Sequence, residues 1–163
     1  MRHAALAMAM IVLASLWCDR PLRAAEPATI EVVTDPGSGR PRFEPEILFI
    51  EPGSSVLFKS AGSAHGSRSI PGMLPDTAEP WWGQIGSDLV VTFTAPGVYG
   101  HKCAANYRLG LVGLIVVGDD RPDNLADARS VPHPPAAAAA FDKLFQQLDE
   151  RYREKYAKGS SGP

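Results

Sequence analysis

From residue 29 to residue 118 short apolar runs alternate with clusters of turn residues. Residues 29–34 (TIEVVT), 47–51, 55–59, 89–94, 98–103 and 111–117 each have the length and the β-branched, aromatic and aliphatic content of a strand. Asp35-Pro36-Gly37-Ser38-Gly39, Pro52-Gly53 and Ala95-Pro96-Gly97 break these runs. Proline presets φ and glycine reaches positive φ, so each cluster reads as a turn. Turns at this close spacing predict an all-β sandwich or barrel, not a parallel sheet. Residues 60–86 interrupt the pattern: they are rich in Gly, Ser and Pro and carry His65, Met73 and the pair Trp81-Trp82. A connection that long in a compact domain is commonly functional.

The periodicity changes after Gly118. Residues 119–135 are polar and proline-rich and read as a linker. Residues 136–158 predict a helix, because Phe141, Leu144, Phe145, Leu148 and Tyr152 fall at i, i+3, i+4, i+7 and i+11. That stripe is expected to pack on the sandwich. Residues 159–163 are expected as a flexible tail.

The chain starts with a short basic segment, Arg2-His3, followed by an apolar run over 4–17 that is short for a membrane span. Small residues follow, so residues 1–25 read as a signal peptide cleaved after Ala24 or Ala25. The bulky Trp17 before Cys18 argues against lipidation there. The mature protein is thus expected to be exported, with no stable membrane association after cleavage, and residues 26–118 form its domain. A net charge of −2 with no basic block argues against nucleic acid and anionic membranes as partners.

Of the two cysteines, Cys18 leaves with the signal and Cys103 remains alone. It forms no internal disulfide and is therefore buried and inert, reactive, or bound to metal. A free thiol is a liability in an oxidising compartment, which favours a soft metal. His65 lies on the long connection, and His101 shares a strand with Cys103. Residues i and i+2 of a strand face one way, about 6.6 Å apart, so a metal shared by His101 and Cys103 is conceivable. The bland alternative is a histidine packed in the interior. Met73 is a second sulfur, with gap-filling in the core as its alternative role. No zinc-type CxxC, phosphate-cradling glycine motif or nucleophile elbow is present. One thiolate with imidazoles suits a trigonal copper site. No general acid/base pair accompanies these residues, so catalysis is not expected.

At this point the chain resembles the cupredoxins, and among them the pseudoazurin family, over nearly the whole mature protein. The resemblance rests on Phe43-Glu44-Pro45, Glu51-Pro52-Gly53, the His65 loop with Ser69-Ile70 through Met73-Leu74-Pro75, and Thr92-Phe93-Thr94 with Gly97-Val98-Tyr99-Gly100. It continues through Lys102-Cys103, Asn106-Tyr107, Gly110 to Gly113 and Val117-Gly118, then into helical sequence. The resemblance implies a Greek-key β-sandwich with a C-terminal α-helical extension, a periplasmic location, and one type 1 copper acting as a one-electron carrier. Its partners would be periplasmic redox proteins, such as a cytochrome or a copper-containing oxidoreductase. It places His65 on the family's first histidine ligand and Cys103 on its thiolate.

The resemblance also marks three departures. Asn106 stands where the family has its second histidine, Leu111 where it has its axial methionine, and Gly66 where asparagine usually follows the first histidine. An amide oxygen is a poor substitute for imidazole on copper. Leu111 offers no donor, and losing the weak axial ligand favours Cu(I). His101 or Asn106 is therefore expected to complete an altered site. Two readings of other classes stand beside this one: a Cu(I) storage or delivery protein meeting a copper-trafficking partner, and a metal-free scaffold used for binding. Trp81, Trp82 and Leu109 are expected at the ligand end as a docking surface, with closure of the sandwich by at least one tryptophan as the alternative. His133, between two prolines, reads as a solvated histidine.

Overall fold

Two four-stranded sheets face each other in the computed structural model, which describes residues 26–60 and 65–159. The expected signal peptide and the tail beyond Gly159 lie outside the described residues. The first sheet contains β1 (Ala28–Thr34), β2 (Pro41–Glu44), β4 (Ser54–Lys59) and β6 (Leu89–Phe93), in the order β2-β1-β4-β6. The second contains β3 (Ile47–Ile50), β5 (Arg68–Ser69), β7 (Gly97–Lys102) and β8 (Val112–Val117), in the order β3-β8-β7-β5. β1 runs parallel to β4 and β3 parallel to β8, while the other pairs are antiparallel. This is the two-sheet sandwich expected from the alternation of strands and turns. β2, which the apolar pattern did not mark as a strand, pairs antiparallel with β1 across the Asp35 turn. There the Asp35 carboxylate accepts from the Gly37 and Ser38 amides and the Ser38 hydroxyl.

β8 is buried along its entire length, and β7 is buried up to Lys102. The reason is that this sheet is covered on both faces. Period-two alternation sends successive side chains to opposite sides. Tyr99, Cys103, Ile115 and Val117 enter the core between the sheets, with Ile30, Phe43, Val56, Phe58 and Phe93. Val98, Val112, Leu114 and Val116 enter a second core, beneath the helices.

Those helices are α1 (Leu125–Ser130) and α2 (Pro135–Gly159). α2 buries Ala137, Phe141, Leu144, Phe145, Leu148 and Tyr152 against the sheet, which is the expected apolar stripe extended by one turn at its start. Residues 119–135 are not a plain linker, because α1 forms within them and buries Leu125 and Ala128. Asn124, just before α1, ties it to β7: its carboxamide accepts from the Val98 amide at 2.9 Å and donates to the Val98 carbonyl at 2.8 Å. An apolar segment this short carries too little periodicity to be read from sequence.

The helical core should contribute to stability as a sandwich core does. Leu148 is fully buried in it. Leu148→Ala is expected to lower the unfolding free energy by about 2–5 kcal/mol, through lost transfer energy plus the cavity left behind. Urea unfolding measures this, and a loss near zero would mean that α2 only rests on the sheet.

Candidate metal centre

From His65 on, the connection between β4 and β6 pairs with itself. Ser69 N–H donates to the Trp81 carbonyl at 3.2 Å, Gly83 N–H to the Ser67 carbonyl at 2.8 Å and Gly86 N–H to the His65 carbonyl at 3.0 Å. Side chains reinforce this: the Trp81 amide donates to Ser69 Oγ at 3.0 Å and the Trp81 indole to Ser67 Oγ at 3.1 Å. The approach is close enough to require glycine at Gly83, where a Cβ would lie 2.7 Å from the Ser67 carbonyl oxygen. A Cβ on Gly66 would lie 3.0 Å from the Gln84 carbonyl oxygen. The outer strand of this ladder is β5, which pairs with β7 and so sets His65 beside the end of that strand.

Cys103 follows β7 directly and is fully buried. Its amide donates to the Leu111 carbonyl at 3.0 Å, and this closes the loop between β7 and β8. Within the loop, Asn106 N–H donates to the Cys103 carbonyl and Leu111 N–H to the Asn106 carbonyl, both at 3.2 Å. A single 3-10 turn, Tyr107–Leu109, follows Asn106 and ends on Gly110 at a φ of 88°.

These two constructions bring three side chains together. His65 Nδ1 lies 3.6 Å from Cys103 Sγ. The Asn106 carboxamide donates to His65 Nδ1 at 3.0 Å and lies 4.0 Å from Cys103 Sγ. Bonds to a first-row metal run about 2.0 Å for imidazole and about 2.3 Å for thiolate, so one ion reaches both donors. A thiolate and an imidazole suit copper, whereas the Asn106 carboxamide presents its nitrogen and acts as a hydrogen-bond donor to the pair. Leu111 is fully buried and brings hydrocarbon to the site. Among the described residues no group of three His, Cys, Asp or Glu side chains is placed to hold a metal ion.

His101 goes elsewhere. It shares the inward face of β7 with Cys103, as the alternation requires, but its ring packs at 4.5 Å from Phe43 and 5.3 Å from Phe58. Neither ring nitrogen has a hydrogen-bond partner among the described residues. Desolvation lowers its pKa from 6.5 to about 3, so the ring is neutral. Space for it comes from Gly113, its cross-strand partner, where a Cβ would lie 2.4 Å from His101 Nε2. A lone glycine inside an apolar strand was the available signal for such a close approach.

Met73 is fully buried in the helical core, its sulfur against Gly100, in the layer that does not hold Cys103. The tryptophan pair divides. Trp81 is buried among Phe58, Phe93 and Tyr99 and closes the sandwich, so it is no part of an exposed docking surface. Trp82 is 69% exposed beneath the Arg68 guanidinium, and Leu109 is 60% exposed on the loop between β7 and β8. His133 is not simply solvated: its Nδ1 lies 2.6 Å from the Tyr107 hydroxyl, and its ring packs 4.5 Å from Phe141. Neither Tyr107 nor His133 carried any sequence signal for this contact, which joins residues 26 positions apart.

No family model matches the chain. Individual relatives do. A pseudoazurin of Methylorubrum extorquens is 38% identical over 125 residues, covering 77% of this chain and 84% of the relative. A pseudoazurin of Paracoccus pantotrophus is 34% identical over 112 residues, covering 69% and 77%. Among solved structures, a pseudoazurin from Methylobacterium extorquens superposes with a TM-score of 0.70 at 36% identity, covering 76% of this chain and 99% of the other. A Sinorhizobium pseudoazurin does so with a TM-score of 0.70 at 33% identity, covering 75% and 95%. The two sheets, and a buried thiol at the end of β7 beside an imidazole from the long connection, are those of a cupredoxin. Within that class the chain belongs to the pseudoazurin family.

The packing of His101 against Gly113 has measurable consequences. Gly113→Ala is expected to destabilise the protein by about 1–3 kcal/mol through overpacking, and His101→Val in that background to recover most of the loss. Denaturant unfolding of the two single variants and the double variant tests the pairing, and additive effects would refute it. The imidazole is neutral when folded and takes a proton below 6.5 when unfolded. Its share of stability is therefore complete above pH 6.5 and lost as pH falls toward about 3. His101→Val should flatten the acid limb of the stability profile of the metal-free protein.

Proposed function

We propose that this protein is a periplasmic, copper-binding one-electron carrier, and that His65 and Cys103 hold the ion with the Asn106 carboxamide at its border. The observation that supports this reading most is the approach of His65 Nδ1 to Cys103 Sγ at 3.6 Å, between two loops that the fold brings together. Membership of the pseudoazurin family supports copper as the metal and electron transfer as the role. A bound copper would supply the one-electron Cu(I)/Cu(II) couple. The protein supplies a buried sulfur, a half-buried imidazole and a low-dielectric surround made by Leu111, Phe43 and Phe58. His101 is left out of the ligand set because its ring is enclosed by Phe43 and Phe58. Leu111, without a donor atom, favours Cu(I), the state that is content with fewer ligands.

A redox partner, such as a cytochrome or a copper-containing oxidoreductase, would meet the ligand end, where Trp82 and Leu109 are exposed. No helix among the described residues is long and apolar enough to cross a membrane.

Titration of the purified mature protein with Cu(I) and Cu(II), followed by visible absorption and voltammetry, tests the reading. One copper per chain with a reversible one-electron wave is expected, with binding lost in Cys103→Ser. Restoring an imidazole with Asn106→His should intensify the thiolate-to-Cu(II) band. Leu111→Met should lower the reduction potential, since a thioether returns a weak axial donor to Cu(II). Failure of the wild type to bind copper in either state would end this reading.

A further inference from the structure

The ligand loop is fastened from outside the sandwich. Tyr107 comes directly after Asn106, and its hydroxyl lies 2.6 Å from Nδ1 of His133, in the segment that leads into α2. The two rings meet edge to face, with centroids 6.1 Å apart and planes at 86°. The His133 ring is backed by Phe141 of α2, with centroids 4.5 Å apart at an interplanar angle of 33°. At the far end of the same 3-10 turn a Cβ on Gly110 would lie 3.0 Å from the Ala136 carbonyl oxygen. One segment, 133–141, therefore grips both ends of the turn. The residues between, Arg108 and Leu109, are exposed, as are Ala104 and Ala105 before it.

Both partners of this bond are uncharged. Burial pushes the Tyr107 phenol above its ordinary range, so it keeps its proton. Burial, and then the charge of Lys102, hold His133 below the usual histidine range, while Asp142 on α2 acts the other way. A neutral His133 pairs through Nδ1 with the Tyr107 hydroxyl. Lys102, on β7, lies 4.1 Å over the Tyr107 ring, so a cation and the histidine both contact the tyrosine.

We propose that His133 is a positioning residue for the metal-ligand loop: through its hydrogen bond with the Tyr107 hydroxyl it fixes where the Asn106 carboxamide meets His65 beside Cys103. The proposal rests on the reading of the centre given above, but its test does not require copper. A rigid partner for the loop matters because groups that orient a metal's immediate neighbours govern its affinity without touching it.

The experiment is nuclear Overhauser spectroscopy of the metal-free protein, comparing wild type with Tyr107→Phe, His133→Phe and His133→Asn. In the wild type the Asn106 side-chain amide and the His65 ring give a cross-peak. It should be lost in both phenylalanine variants and retained in His133→Asn, whose carboxamide replaces the Nδ1 hydrogen-bond partner. The metal-free protein is used because copper at His65 Nδ1 would displace the Asn106 amide from the same lone pair. Tyr107→Phe removes one oxygen and keeps the ring, which protects the fold. A lower melting temperature with the cross-peak intact in both phenylalanine variants would make the contact merely structural and overturn the proposal. A wild type that shows the cross-peak and its loss in the variants, yet binds no copper, would uphold the positioning role and sink the copper reading alone.

Discussion

The antiparallel pairing of β7 with β8 is the constraint on which the rest of this molecule depends. Both strands are covered on two faces, so their backbone groups have no water to fall back on and must bond to each other. Their side chains are then sorted strictly, one set between the sheets and the other beneath the helices. The last bond of the ladder region, from the Cys103 amide to the Leu111 carbonyl, closes the loop between β7 and β8. Cys103 is thus fixed at its main chain, and its buried thiol lies beside His65.

The same sorting explains why the donors at the site are few. Inward positions of β7 near Cys103 belong to an aromatic core, and His101 occupies one of them with neither ring nitrogen partnered among the described residues. Room for its ring exists because Gly113 stands opposite. On the proposed reading, any ligand beyond His65 and Cys103 would come from the loop, and the loop offers an amide at Asn106 and hydrocarbon at Leu111. The polar edge of the centre is therefore a hydrogen-bonded carboxamide, with exposed apolar groups, Trp82 and Leu109, beyond it.

Much of this was legible in the chain. Short β-rich runs broken by Pro and Gly pointed to the sandwich, and the stripe from Phe141 to Tyr152 pointed to the helix that covers it. Turn chemistry and periodicity are local properties, and local properties survive in sequence. What escaped were β2, β5 and α1. Each is short, and each exists because a neighbour pairs with it or buries it. Trp81 and Trp82 show the same limit. They are adjacent and chemically identical, and only the closing of the long connection on itself puts one in the core and leaves the other on the surface.

By itself, then, the sequence determined the class of fold, the family, and the pairing of one thiol with one imidazole as the chemistry to look for. Tertiary structure decided which other groups join them. It brought Asn106 to His65, removed His101 and Met73 into two different cores, and joined Tyr107 to His133 across the surface of the helical layer. The physical reason is that periodicity assigns a side chain to a face, but its neighbours on that face come from segments far away in the chain.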